Sequence, residues 1–110
     1  MNIQSKDVSG HGVKLYVEHD GQEIARAYVY IFRNDLHDRP FGLMEDVHVD
    51  DPFQRKGIGT NLVERVIAIA REQGCYKLIC TSRYGKENSV HKMYLDLGFR
   101  DHGKEFRIDF

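Results

Sequence analysis

The sequence predicts an α/β protein of the α+β kind, built on one mixed sheet. Three observations predict it: two alternating apolar runs joined by turn residues, a helical stripe just after a third run, and a short apolar run after that helix. A chain of 110 residues with 41% apolar side chains is enough to cover one sheet with a few helices, so a single domain over residues 1–110 is expected.

From Val13 to Val17 apolar residues alternate with polar ones, and a second alternating run spans Glu23 to Phe32. Between them His19-Asp20-Gly21-Gln22 is a turn signal, so the pair reads as a β-hairpin. Asn34 to Pro40 is polar, and Phe41 to Val49 reads as a third strand, broken by Asp50-Asp51-Pro52. From Ile58 onward, Ile58, Leu62, Val63, Val66, Ile67 and Ala70 fall on one helical stripe, and Gly74 supplies the stop. Tyr76 to Cys80 reads as a buried strand. Because a helix connects it to Phe41–Val49, the two should lie parallel in a right-handed crossover. Val90, Met93, Tyr94 and Leu97 keep a helical spacing from Asn88 to Gly98, and alternating Phe106, Ile108 and Phe110 predict a final strand that closes the domain.

Composition narrows the function classes. The formal charge of -1, from 16 basic and 17 acidic residues, and the lack of a basic stripe with interleaved aromatics predict no nucleic-acid partner. No run approaches the ~20 apolar residues of a membrane span, and Met1 to Gly10 has no apolar core of signal-peptide type. A soluble, cytoplasmic protein with no membrane partner is expected. His11, His19, His37, His48, His91 and His102 are scattered without metal-ligand spacing, so no metal is expected. Cys75 and Cys80 read as free buried thiols.

The segment Gln54-Arg55-Lys56-Gly57-Ile58-Gly59 stands between a strand and the start of a helix. There, unsatisfied N–H groups and the helix dipole favour an anion, two glycines let phosphate approach the backbone, and Arg55 and Lys56 add positive charge. Leu62 stands where a third fingerprint glycine would be, and no Gly-Lys-Ser/Thr follows, so neither nucleotide motif fits. An ordinary tight turn would use the same two glycines.

This segment resembles the Gln/Arg-x-x-Gly-x-Gly/Ala signature of the GNAT acetyltransferase superfamily. Asn88 through Phe99, an Asn-led helix with a tyrosine and a Gly-Phe end, is similar to that family's second signature. The resemblance implies the acyl-CoA N-acyltransferase fold, with a central sheet splayed between the strands ending at Val49 and Cys80. It implies a compact version with a truncated N-terminal region, since about a dozen residues precede the hairpin. It further implies acetyl-CoA as co-substrate. Val47, His48 and Val49 would supply backbone contacts to its pantetheine arm, Gln54, Arg55, Lys56, Gly57, Ile58, Gly59 and Thr60 would hold its pyrophosphate, and Asn88 and Tyr94 would face the thioester end.

Glu45-Asp46-Val47, Gly74-Cys75-Tyr76-Lys77 and the tail from Gly103 to Phe110 are similar to the glucosamine-6-phosphate N-acetyltransferases, which implies an amino-sugar phosphate acceptor and a homodimer. Thr81, Ser82, Arg83 and Tyr84 depart from that subfamily, where acidic residues follow the strand. A protein or peptide acetyltransferase, or a module that binds acyl-CoA without turnover, are the other readings. In the reaction the resemblance implies, Tyr94 is the general acid and Glu45 the base, with His48 as second choice for base. Strict alternation would put Glu45, Val47 and Val49 on one face and Asp46 and His48 on the other, unless a bulge intervenes. Cys80 as a nucleophile lacks a base at diagnostic spacing. Arg83, Lys86, His91 and Lys92 form a local basic group.

Overall fold

Asp20 and Gly21 both take positive φ, 52° and 78°, the conformation of a two-residue hairpin turn whose twist matches that of its strands. They join β1 (Gly10–His19) to β2 (Gln22–Phe32), and β3 (Phe41–Val49) adds antiparallel to β2. A 3-10 turn at Asp51–Phe53 leads to α1 (Ile58–Glu72), which returns the chain to β4 (Leu78–Ile79), parallel to β3. The four strands form one mixed sheet in the order β1-β2-β3-β4, in which the hairpin and the parallel crossover are as the sequence predicts. The computed structural model describes residues 1–110, which divide into two units, Met1–Cys80 and Thr81–Phe110.

The core of the first unit lies between one face of the sheet and α1. The inward residues Ala25, Ala27, Val29 and Ile31 of β2 are at most 1% exposed, and Leu62, Val63, Val66 and Ala70 of α1 are buried with them. Burying a side chain the size of valine or leucine contributes about 1.5–3 kcal/mol. The other face of β2 presents Tyr28, Tyr30 and Phe32, half-buried, with ring centroids 6.4 and 6.1 Å apart along the strand. Phe41 of β3 continues this row at 5.5 Å from Phe32.

In the second unit, a π-helical turn at Glu87–His91 runs into α2 (Lys92–Asp96), and Gly98 follows at φ 105°. The short helix predicted from near Asn88 to its stop at Gly98 is thus present, with an overwide first turn.

Two strand expectations are corrected. β4 is two residues long rather than Tyr76–Cys80, although Tyr76 N–H donates to the Pro40 carbonyl at 2.9 Å and Gly42 N–H to the Lys77 carbonyl at 2.9 Å. The final strand does not form. Residues 101–110 are exposed and have no regular structure, with Phe106 at 91% and Phe110 at 116% exposure. Alternation specifies a strand only when an edge is there to pair with it. Charged residues fill every other position of this tail from Glu105 to Asp109, and no ladder holds it.

Candidate functional site

β3 carries the residues predicted for catalysis, and its regularity fails there. Its register with β2 shifts between Arg26 and Tyr28: Glu45 lies opposite Tyr28 and His48 opposite Arg26, leaving Asp46 and Val47 without a β2 partner. Asp46 sits at φ 52°, a left-handed position that aspartate accepts more readily than most residues. This bulge changes the predicted facing. Residues opposite each other in a ladder share a face, so Glu45 and His48 lie together, on the face that carries Arg26 and Tyr28. Val49, opposite Ala25, joins the face covered by α1. Strict alternation would have separated Glu45 from His48; one extra residue brings them together.

Before the bulge is reached, β3 also loses its other neighbour. β4 pairs with Gly42 and Leu43 and goes no further, so from Met44 to Val49 that side of the strand has no β4 partner. This divergence is the splay that the sequence implies. His48 Nε2 lies 3.0 Å from Asp50 Oδ1, a pairing within the same strand end that sequence reasoning missed. Glu45 also acts on its surroundings. Burial first, and the nearby Glu45 carboxylate second, push the Cys80 thiol up to about 11, so Cys80 is held as a neutral thiol and is a poor nucleophile. Burial likewise raises Cys75, partly countered by Arg33.

The loop after β3 is held from below. The Gln54 side-chain amide donates to the Val49 carbonyl at 2.8 Å and to Asp51 Oδ1 at 3.1 Å. Gln54 therefore ties the loop to the strand end with its side chain, while its backbone N–H donates to the Asp51 carbonyl at 3.2 Å. Arg55 takes φ 63°, and Gly57, the N-cap of α1, takes φ 86°. Lys56 lies over the Phe53 ring at 5.6 Å, and Phe53 packs on His19 at 5.1 Å.

No side chain caps α1, and no acidic residue stands in its first turn. The first amides of the helix, which lack intrahelical partners, are thus left to a ligand or to water. A Cβ on Gly57 would meet nothing within 4 Å, so the space over the cap is open. Exposed cationic side chains, orphan N–H groups and a positive helix end are the parts of an anion cradle.

In the second unit, Asn88 is exposed within the π-helical turn, and the half-buried Tyr94 packs its ring on Phe99 at 5.4 Å. Two members of the predicted basic group have internal partners. His91 Nε2 lies 2.9 Å from the Arg83 carbonyl, and Lys92 pairs with Asp96 at 2.9 Å. No helix is long and apolar enough to cross a membrane.

Comparison with known proteins agrees with this geometry. Residues 3–99 match the model of the acetyltransferase (GNAT) family. The chain is 39% identical over 71 residues to a glucosamine 6-phosphate N-acetyltransferase of Trypanosoma brucei brucei, covering 64% of this chain and 46% of that protein. It is 32% identical over 89 residues to N-alpha-acetyltransferase 30 of Xenopus laevis, covering 79% of this chain and 32% of that one. Among solved structures, an acetyltransferase of Trypanosoma brucei superposes with a TM-score of 0.82 at 30% identity, covering 90% of this chain and 69% of that one. The chain spans less than half the length of the curated relatives it matches. A mixed sheet that parts beyond Leu43, an uncapped head of α1 and a family match over residues 3–99 together place this chain in the GNAT acetyltransferase family.

Proposed function

We propose that this chain transfers an acetyl group from acetyl-CoA to a primary amine of a small molecule, with an amino-sugar phosphate as the acceptor class. The observation that carries the reading is the uncapped, open N-terminus of α1 directly after the strand that has lost its β4 neighbour. The backbone of Gln54 through Thr60, with Arg55 and Lys56, would hold the pyrophosphate. The open side of Val47, His48 and Val49 would receive the pantetheine arm.

The amine nitrogen attacks the thioester carbonyl carbon. The C–N bond forms first, giving a tetrahedral oxyanion stabilised by a strand N–H left unpaired, and its collapse breaks the C–S bond and releases the thiolate. Glu45 takes the proton of the ammonium, with His48, on the same face, as the second candidate. The thiolate regains a proton from Tyr94, a role supported by the second signature alone. On ordinary values, full transfer from a phenol of pKa ~10 to a thiolate of pKa ~8.5 is uphill by about 2 kcal/mol, so a strong hydrogen bond is enough.

The amino-sugar acceptor is supported by the two glucosamine 6-phosphate N-acetyltransferases at 39% and 37% identity. The N-alpha-acetyltransferases match over a longer stretch, 89 residues, and favour a second reading in which the amine is a peptide's N-terminus. Thiol release from acetyl-CoA, measured with glucosamine 6-phosphate and with a peptide bearing a free α-amine, separates the two. Turnover with the sugar that falls at least about tenfold in Tyr94→Phe while CoA affinity persists supports the assignment. Tight CoA binding with no turnover on any amine would instead make the chain a binding module.

A further inference from the structure

Asp50 stands where a capping residue belongs and does not cap. It is the N-cap of the 3-10 turn Asp51–Phe53, a place that suits aspartate because its carboxylate can accept from the free N–H groups of the turn, yet it makes no such bond. Its carboxylate goes instead to His48, with Oδ1 3.0 Å from the ring's Nε2. The backbone fixes Asp50 from both sides: its N–H donates to the Ile24 carbonyl at 2.8 Å, and its carbonyl accepts from Phe53 N–H at 2.9 Å. The His48 and Asp50 side chains are 47% and 44% exposed, and a pair so open to solvent adds little to stability. A local cap is given up for a contact whose main effect is to hold one imidazole.

The cations nearest in register are engaged elsewhere. Arg26 of β2, opposite His48, and Lys14 of β1, opposite Tyr28, both pair with Glu23, at 3.5 and 2.5 Å. Tyr16, Tyr28 and Glu45 are the other titratable groups around the imidazole on β1, β2 and β3. As a carboxylate Asp50 can only accept, so the shared proton sits on Nε2 and the neutral ring keeps Nδ1 as its free acceptor.

We propose that His48 takes the second of the two protons that the acceptor nitrogen must lose, and that Asp50 is the positioning residue that readies it; this rests on the reading of the chain as an N-acetyltransferase. A primary amine is largely an ammonium at neutral pH, since ordinary amines titrate between about 8 and 10. Its first proton must leave before the lone pair can attack, and Glu45 takes it. Forming the C–N bond then leaves the nitrogen cationic with two hydrogens, and one of them must go for the neutral amide to form as the C–S bond breaks. Glu45 is by then protonated. His48 Nδ1, brought to the same face by the bulge, is the base still open. The departing sulfur takes its proton from Tyr94. Of the two protons removed from nitrogen, one replaces that of Tyr94 and the other leaves to solvent through the exposed imidazole, so atoms and charge balance.

The test joins nitrogen NMR of the histidine rings to thiol release from acetyl-CoA, with whichever amine the chain turns over, glucosamine 6-phosphate or the peptide. Wild-type His48 should show the tautomer with its proton on Nε2. His48→Ala should lower kcat at least about tenfold while KM and CoA affinity stay within about threefold, and added imidazole should restore part of the rate. Asp50→Asn, whose amide can donate to Nε2, should admit the other tautomer and lower kcat in the same direction. A wild-type ring with its proton on Nδ1 would overturn the proposal. So would a loss in His48→Ala that imidazole leaves untouched. Wild-type turnover that both variants keep removes this proposal alone, whereas no thiol release from wild type with any amine removes the underlying reading with it. The ring spectrum is read on the unsubstituted protein, so a poorly folding variant cannot shelter the idea.

Discussion

The cap of α1 lets two alanine substitutions, two residues apart, separate folding from ligand binding. Gly57 sits at φ 86°, where an L-residue costs about 1–2 kcal/mol. Its added Cβ would meet nothing within 4 Å, so no steric clash increases that cost. In a domain of this size each kcal/mol moves the midpoint by about 4–8 °C, so Gly57→Ala should lower Tm by roughly 4–15 °C. Gly59 lies inside the helix, and its Cβ would meet Val49 Cγ2 at 3.7 Å, an ordinary contact. Gly59→Ala should therefore stabilise by about 0.5–1 kcal/mol. Binding should divide the pair differently. A methyl on Gly57 enters the open space over the orphan amides and should weaken CoA at least about tenfold, whereas alanine at 59, which the related signature also uses, should leave affinity within about threefold. Thermal unfolding by circular dichroism and calorimetric titration with CoA, both well below the variant's Tm, give the two readings. If Gly57→Ala bound CoA like wild type, the loop would not be the pyrophosphate site. If Gly59→Ala lost stability, the helix would not begin where it is placed.

Two further outcomes follow from β3 and its neighbours. With its pKa raised from the ordinary 9.0 to about 11, Cys80 should hold about a hundredfold less thiolate at neutral pH than an unperturbed cysteine, so alkylation by iodoacetamide should be slow, and Glu45→Gln should speed it. The sign for stability is set by the same shift: the folded value lies above the unfolded one, so the stabilisation is present below about pH 9 and is lost as pH rises toward about 11, which denaturation at alkaline pH can check. At the bulge, Asp46→Val places a β-branched residue at φ 52° and should cost about 1–3 kcal/mol, while Asp46→Gly should fold within about 0.5 kcal/mol of wild type in urea melts. Equal losses in the two variants would mean that the left-handed backbone is not what position 46 provides.

The parts of this fold that follow from local rules were legible in the sequence. Asp20-Gly21 marked its turn, the stripe from Ile58 to Ala70 marked α1, and a helix between two apolar runs marked a parallel crossover. What was not legible depends on partners distant in the chain. Phe106, Ile108 and Phe110 alternate as a strand does, but alternation says nothing about whether an edge exists to receive them. Tyr76 and Lys77 exchange hydrogen bonds with Pro40 and Gly42 without regular strand structure, and the two strands part after Leu43, so only Leu78–Ile79 of the predicted strand becomes one. In the site, the glycine turn into α1 was readable because it is local. The commitment of Gln54 to the Val49 carbonyl was not, because it depends on how a 3-10 turn folds the loop under the strand.

The bulge at Asp46 is the point where local and non-local effects meet. The residue type gave a signal: aspartate tolerates positive φ and is depleted in strands, and here it sits within one, directly after Glu45. Only the pairing with β2 shows what the extra residue does. It rotates the end of β3 so that the half-buried Val49 lies on the α1 face while His48 joins Glu45 on the other face. A regular strand could satisfy one of these demands but not both, because the residues from 45 to 49 would then all keep one alternation. The irregularity is therefore what allows the same five residues to anchor the head of α1 through Val49 and to hold two titratable groups, Glu45 and the Asp50-paired His48, toward one side. A substitution that restored regular pairing would leave the strand better formed and the site divided.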